Sequence, residues 1–191
     1  MGAKHRFLAY LLLVGTVALA SCGTPQAART EIPHDATEGG QTKAEMRAHI
    51  ESIPGIRVTN IVGGGPPNIK GNTGYWISLE LSEGYEIQDG PGLVTFVAES
   101  IWSIREGYMP NTEIDIDLRM PEGQVFNMTA AAVDGGWVAE EPGVTDEYSI
   151  ASITVQESDE QGMANLERLG TWPGAVPEAP ADITAAVSPG R

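Results

Sequence analysis

Between Glu113 and Met120 the chain alternates charge with grease. Glu113, Asp115, Asp117 and Arg119 fall on one parity and Ile114, Ile116, Leu118 and Met120 on the other. Successive side chains of a β-strand point to opposite faces, so 112–120 reads as a strand with one wet and one buried side. Such a strand belongs to a sheet covered on one face only, which favours antiparallel pairing and helices gathered on the apolar side.

The other elements fit that frame. Thr42-Lys43-Ala44-Glu45 has the form of a capping box, and Met46, Ile50 and Ile53 follow at helical spacing before Pro54-Gly55 ends the run. His49 sits beside that stripe and reads as a boundary residue. Residues 56–62 predict a strand with Ile56, Val58, Asn60 and Val62 on one face. Residues 75–81 predict a second, with Tyr75, Ile77, Leu79 and Leu81 inward and Trp76, Ser78 and Glu80 outward. Pro91 suits the first turn of a helix whose stripe is Leu93, Phe96, Val97, Ser100, Ile101 and Ile104, with Gly107 as its stop. After the Met120-Pro121-Glu122-Gly123 turn, 124–128 is expected to return as a hairpin partner. Ala130 to Val133 predicts a helical turn, and 148–156 a last strand.

The expected fold class is therefore α+β: a two-layer sandwich, mostly antiparallel, with two helices on one face and an αββαββ rhythm plus a further strand. This rhythm resembles the ferredoxin-like and BON-type domains of bacterial envelope proteins, a likeness of architecture that carries no site residues with it.

The N-terminus speaks of location. Lys4, His5 and Arg6 precede Phe7 to Ala20, an apolar run of 14 residues. As a helix it is about 21 Å long, short of the ~30 Å hydrocarbon core, so it reads as an export signal. The stretch Leu19-Ala20-Ser21-Cys22 resembles the lipobox of bacterial lipoproteins. That resemblance implies a diacylglycerol thioether on Cys22, cleavage before it and acylation, palmitate included, of the new N-terminus. Ala18-Leu19-Ala20 also satisfies ordinary signal cleavage, which would release a secreted protein beginning at Ser21. The expected location is the extracytoplasmic face of the cell membrane, and the expected divisions are a signal peptide (1–21), a lipidated flexible tether (22–41), the α+β domain (42–156) and an acidic to Pro/Ala-rich, partly disordered tail (157–191).

Charge narrows the partners. The chain carries a net −15; removing the leader takes Lys4 and Arg6 and no acid, leaving −17. Such a surface repels phosphate backbones, so nucleic acid is not an expected partner. Cys22 is the one cysteine, so no disulfide is available. The membrane, through the lipid, and an envelope protein or glycan are the expected partners.

Chemistry-bearing patterns are sparse. Gly63 to Gly74 is glycine-rich after a strand, but Lys70 precedes Gly71 and no helix opens there, so it reads as a connector and implies no nucleotide. Glu157-x-Asp159-x-Gln161-Gly162 starts like a calcium loop, yet Arg168 stands where a bidentate Glu is needed. Asn127-Met128-Thr129 is a formal glycosylation sequon on a predicted strand. No serine-hydrolase elbow or zinc motif occurs, and no cofactor is expected. Two groups of candidates remain. Glu113, Asp115 and Asp117 share a strand face and could ligate a hard cation, although a solvated acidic face gives the same pattern. Trp76, with Ser78 and Glu80, lies on the outer face, where an indole invites either a stacked ligand or a cover supplied by the C-terminal segment around Trp172. The expected function is a non-enzymatic binding or interaction domain; the alternative is a carboxylate-dependent envelope enzyme such as a glycan hydrolase, which needs two carboxyls ~5–10 Å apart across a cleft.

Overall fold

In a computed structural model of the chain, which describes residues 31–139 and 148–187, Thr42 opens the first helix as its sequence demands. The Glu45 N–H donates to the Thr42 hydroxyl at 3.1 Å and the Thr42 N–H donates to the Glu45 carboxylate at 2.8 Å. Helix α1 (Lys43–Glu51) buries Met46 and Ile50. Helix α2 (Gly90–Trp102) is capped by Asp89, which accepts the Gly92 N–H at 2.8 Å, and buries the expected stripe from Leu93 to Ile101, with Ile104 buried just beyond its end. It ends before Gly107, at Ser103, whose hydroxyl donates back to the Ser100 carbonyl.

Strands β1 (Ile56–Gly63), β2 (Tyr75–Leu81), β4 (Glu113–Arg119) and β5 (Tyr148–Thr154) form one sheet in the order β1-β2-β4-β5. The outer pairs are antiparallel and the central pair β2/β4 is parallel, because α2 supplies the crossover that parallel neighbours require. Ile77, Leu79, Ile114, Ile116, Leu118, Ala151 and Ile153 share one buried cluster with the helical stripes. The protein is thus an α+β two-layer sandwich with a mainly antiparallel sheet.

Several local expectations are corrected. The register between β1 and β2 slips between Val58 and Asn60, so Ile61 turns toward the core and Asn60 and Val62 face out. An extra residue at a bulge flips the parity of everything after it. Residues 124–128 are not the partner of β4. The chain instead makes α3 (Met128–Asp134), capped by Asn127, and returns as β5. The sequon asparagine is thereby a helix cap.

The described part of the segment expected as a tail, residues 157–187, is built into the domain. Asp159 caps α4 (Glu160–Leu169) by accepting the Gly162 N–H at 2.8 Å, so the residues that resemble half a calcium loop start a helix. Strand β6 (Thr184–Ala186) pairs with β3 (Tyr85–Ile87), and Ile183 joins the core.

Part of the expected tether, residues 33–41, is bound as well. It lies along 103–109 through the Met109 N–H to Pro33 carbonyl bond (2.9 Å), Asp35 N–H to Gly107 carbonyl (3.0 Å) and paired bonds between Gln41 and residues 103 and 105. Asp35 returns the contact by accepting the Gly107 N–H at 2.8 Å, which holds its carboxyl below the usual range. Gly107 has φ +75°, and a Cβ there would stand 2.3 Å from the Gly64 carbonyl oxygen, so only glycine fits.

Both sheet edges are blocked by helix side chains. Lys43, Arg47 and Glu51, one turn apart on α1, satisfy the Gly63 carbonyl, the Val58 carbonyl and the Val58 N–H of β1. On β5, Thr129 donates to the Ile150 carbonyl at 2.7 Å, and buried Asn165 to the Thr154 carbonyl at 2.9 Å. Unpaired edge groups would otherwise template the addition of another strand.

Candidate functional site

The parallel register of β2 and β4 joins the two groups of candidates that the sequence offers separately. Trp76 lies beside Asp115, Ser78 beside Asp117, and Glu80 beside Arg119. β1 adds Val62 next to Trp76, and β5 adds Ser152 next to Asp115. All of these point away from the helices, because the inward parity is taken by Tyr75, Ile77, Leu79, Ile114, Ile116 and Leu118.

Asp117 organises this outer face. One of its carboxylate oxygens accepts the indole N–H of Trp76 at 2.6 Å and the hydroxyl of Ser78 at 3.0 Å. The residue is 1% exposed, so the expectation of a solvated acidic face fails at this position. A carboxylate withdrawn from water needs hydrogen-bond donors, and the neighbouring strand supplies them. Asp115 accepts the Ser152 hydroxyl at 2.6 Å. The carboxyl of Glu113, at the head of the strand, is pushed above its usual range, first by partial burial and then by the charge of Asp115.

Same-face residues on a strand stand about 7 Å apart, whereas calcium ligands converge within about 2.6 Å of one point. Among the described residues no three His, Cys, Asp or Glu side chains gather closely enough to hold a metal ion. Glu80 is engaged elsewhere: it accepts from Arg57 at 2.7 Å, in a polar pocket of about 410 Å³ that Arg119 and Glu122 also line. Of the three outer residues on β2, Trp76 and Ser78 therefore act together and Glu80 stands apart.

Trp76 keeps 42% of its surface exposed, and Val62 beside it 57%. The described part of the C-terminal segment, which ends at residue 187, does not cover them. It runs past α2, where the Gly174 N–H donates to the Trp102 carbonyl at 3.2 Å, and Thr184 bonds the Pro54 carbonyl at 2.6 Å. The result is an indole whose edge is pinned by a buried carboxylate while part of its surface stays open, with an aliphatic neighbour on one side and carboxylates on the other. Such a platform can stack on a sugar face or take a cationic side chain. The role of Asp117 was not legible in the sequence: only the register shows that the strand beside it carries an indole and a hydroxyl within reach.

Cys22 lies outside the described residues, and among those residues no helix is long and apolar enough to cross a membrane. No family model, no curated protein and no solved structure matches the chain.

Proposed function

We propose that the protein is a lipoprotein anchored through Cys22 to the extracytoplasmic face of the cell membrane, and that its domain binds an envelope protein or glycan without catalysing a reaction. The anchor rests on the Leu19-Ala20-Ser21-Cys22 stretch behind an apolar leader. The binding role rests on one observation: Trp76 stays open although its indole N–H is held at 2.6 Å by buried Asp117. An aromatic side chain fixed in orientation before its ligand arrives loses little freedom on binding. Asp115 and Asp117 are occupied by hydroxyl and indole donors from adjacent strands, an arrangement suited to positioning a surface.

Two experiments test the proposal. Metabolic labelling with palmitate, followed by fractionation, should place the wild-type chain in membranes and Cys22→Ala in the soluble fraction. Crosslinking on intact cells should yield a defined adduct that Trp76→Ala loses while its melting temperature stays close to wild type. A glycan-cleaving activity abolished by both Glu113→Gln and Asp115→Asn would replace the binding role with the enzymatic one.

A further inference from the structure

The connection between β1 and β2 is an ordered loop that ends in an isoleucine with nothing over it. Asn68 closes the tip: its side-chain oxygen accepts the N–H groups of Lys70 (2.9 Å) and Asn72 (3.1 Å), and its own N–H donates to the Asn72 carbonyl at 3.0 Å. Asn111 then ties the loop to the body by donating to the Gly71 carbonyl at 2.9 Å. Ile69, at the apex, is 98% exposed. A mobile loop could fold such a side chain against the domain, but this one is held out.

The loop and the domain's N-terminal strap occupy the same end of the molecule. Residues 105–112 lie between them: Met109 N–H donates to Pro33, Tyr108 N–H to Gly64, and the Thr73 hydroxyl to Met109. The chain that leads back to Cys22 therefore leaves the domain one backbone segment away from the base of the loop. Pro33 stands eleven residue steps after Cys22, a reach of about 40 Å for a fully extended chain and about 20 Å for a flexible coil. Among the described residues, three of the seven large apolar side chains left exposed, Val62, Ile69 and Trp76, lie in or beside this loop.

We infer that the 68–72 tip is a membrane contact, with Ile69 entering the lipid interface and Lys70 reaching the headgroups, so that the domain stands on the bilayer by this end. The inference rests on the lipid anchor proposed above. Burial of one isoleucine changes an equilibrium constant by about tenfold to a hundredfold, too little to hold a free protein but enough to orient a tethered one. Asp35 and Glu38 lie in the strap and Glu31 two residues before it, so the contact is apolar and does not depend on anionic lipid.

The test uses the full lipidated protein in phosphatidylcholine vesicles, with an environment-sensitive fluorophore on a cysteine introduced at Ile69 or, as control, at Val125, an exposed residue beyond the opposite end of β4. Spin-labelled lipid should quench the probe at 69 and not at 125. An Ile69→Asp variant that carries the probe on Lys70→Cys should lose about tenfold or more of the quenching that Lys70→Cys shows alone, at any salt concentration. Equal quenching at 69 and 125 in protein that floats with the vesicles would overturn the contact and leave the anchor intact. Absence of lipid on Cys22 by mass spectrometry would overturn both.

Discussion

Ile116 and Asp117 are consecutive residues of β4, point to opposite faces of the sheet, and are 0% and 1% exposed. The inner residue is closed off by packing against many apolar neighbours, none of them individually required. The outer one is closed off by specific donors, the Trp76 indole and the Ser78 hydroxyl, each at a fixed distance. Packing tolerates a change of shape better than a hydrogen-bonded carboxylate tolerates a change of chemistry. The inner face therefore specifies the fold, while the outer face holds one aromatic side chain in a chosen orientation and leaves it open.

The comparison can be broken by substitution, and the core should respond most. Ile116→Ala removes fully buried methyl groups and should lower stability by about 2–5 kcal/mol in chemical denaturation. Ile116→Val, which retains most of the contact, should cost about 1 kcal/mol. Asp117→Ala should come next, at about 1–3 kcal/mol, because it strands the indole N–H and the hydroxyl. Asp117→Leu should not rescue it, which would separate a hydrogen-bonded site from a merely packed one. A destabilisation below that of an ordinary surface change would mean that the outer face is solvated after all. Ser152→Ala, which removes a single bond to Asp115 on an exposed row, should cost less than about 1 kcal/mol.

These inner and outer sets were unequally legible in the sequence. The inward parities of 75–81 and 113–120 and the stripe of α2 follow from periods of 2 and 3.6, and burial confirms each of them. The outer site needs strand order as well. Asp117 meets Trp76 across 41 positions of sequence, and no local period announces a parallel pair. The bulge in β1 is equally silent, since one extra residue near Thr59 leaves no compositional mark. The strap at 33–41 is held largely by backbone bonds, which any residues could make. Helix α4 did leave a signal, the Asp159-x-x-Gly162 cap, but its stripe is interrupted by buried Asn165, which bonds the carbonyls of Trp137 and Thr154. Polar burial of that kind defeats a reading based on hydrophobicity.

The smallest expected effect concerns Glu113. Its carboxyl is raised above the unfolded value, so the folded state binds more protons than the unfolded one in that interval, and stability falls as pH rises from the ordinary glutamate range through the raised folded value. Glu113→Gln should flatten this part of the pH–melting profile and leave the fully protonated, acidic limb unchanged. Asp35 has the opposite sign. Its lowered carboxyl contributes stability at neutral pH that is lost on acidification, so Asp35→Asn should weaken the strap at pH 7 and matter less below the usual aspartate range. Thermal melts of the two variants across pH 3–7 check both directions.

The open indole is the centre of the account, and a photoreactive residue placed at Val62, its neighbour across the strands, interrogates it in living cells without altering Trp76 itself. The prediction is a discrete adduct from position 62 that is absent from position 125 and disappears when Trp76→Ala is added. Adducts that are missing at 62, or that persist without the indole, would contradict it.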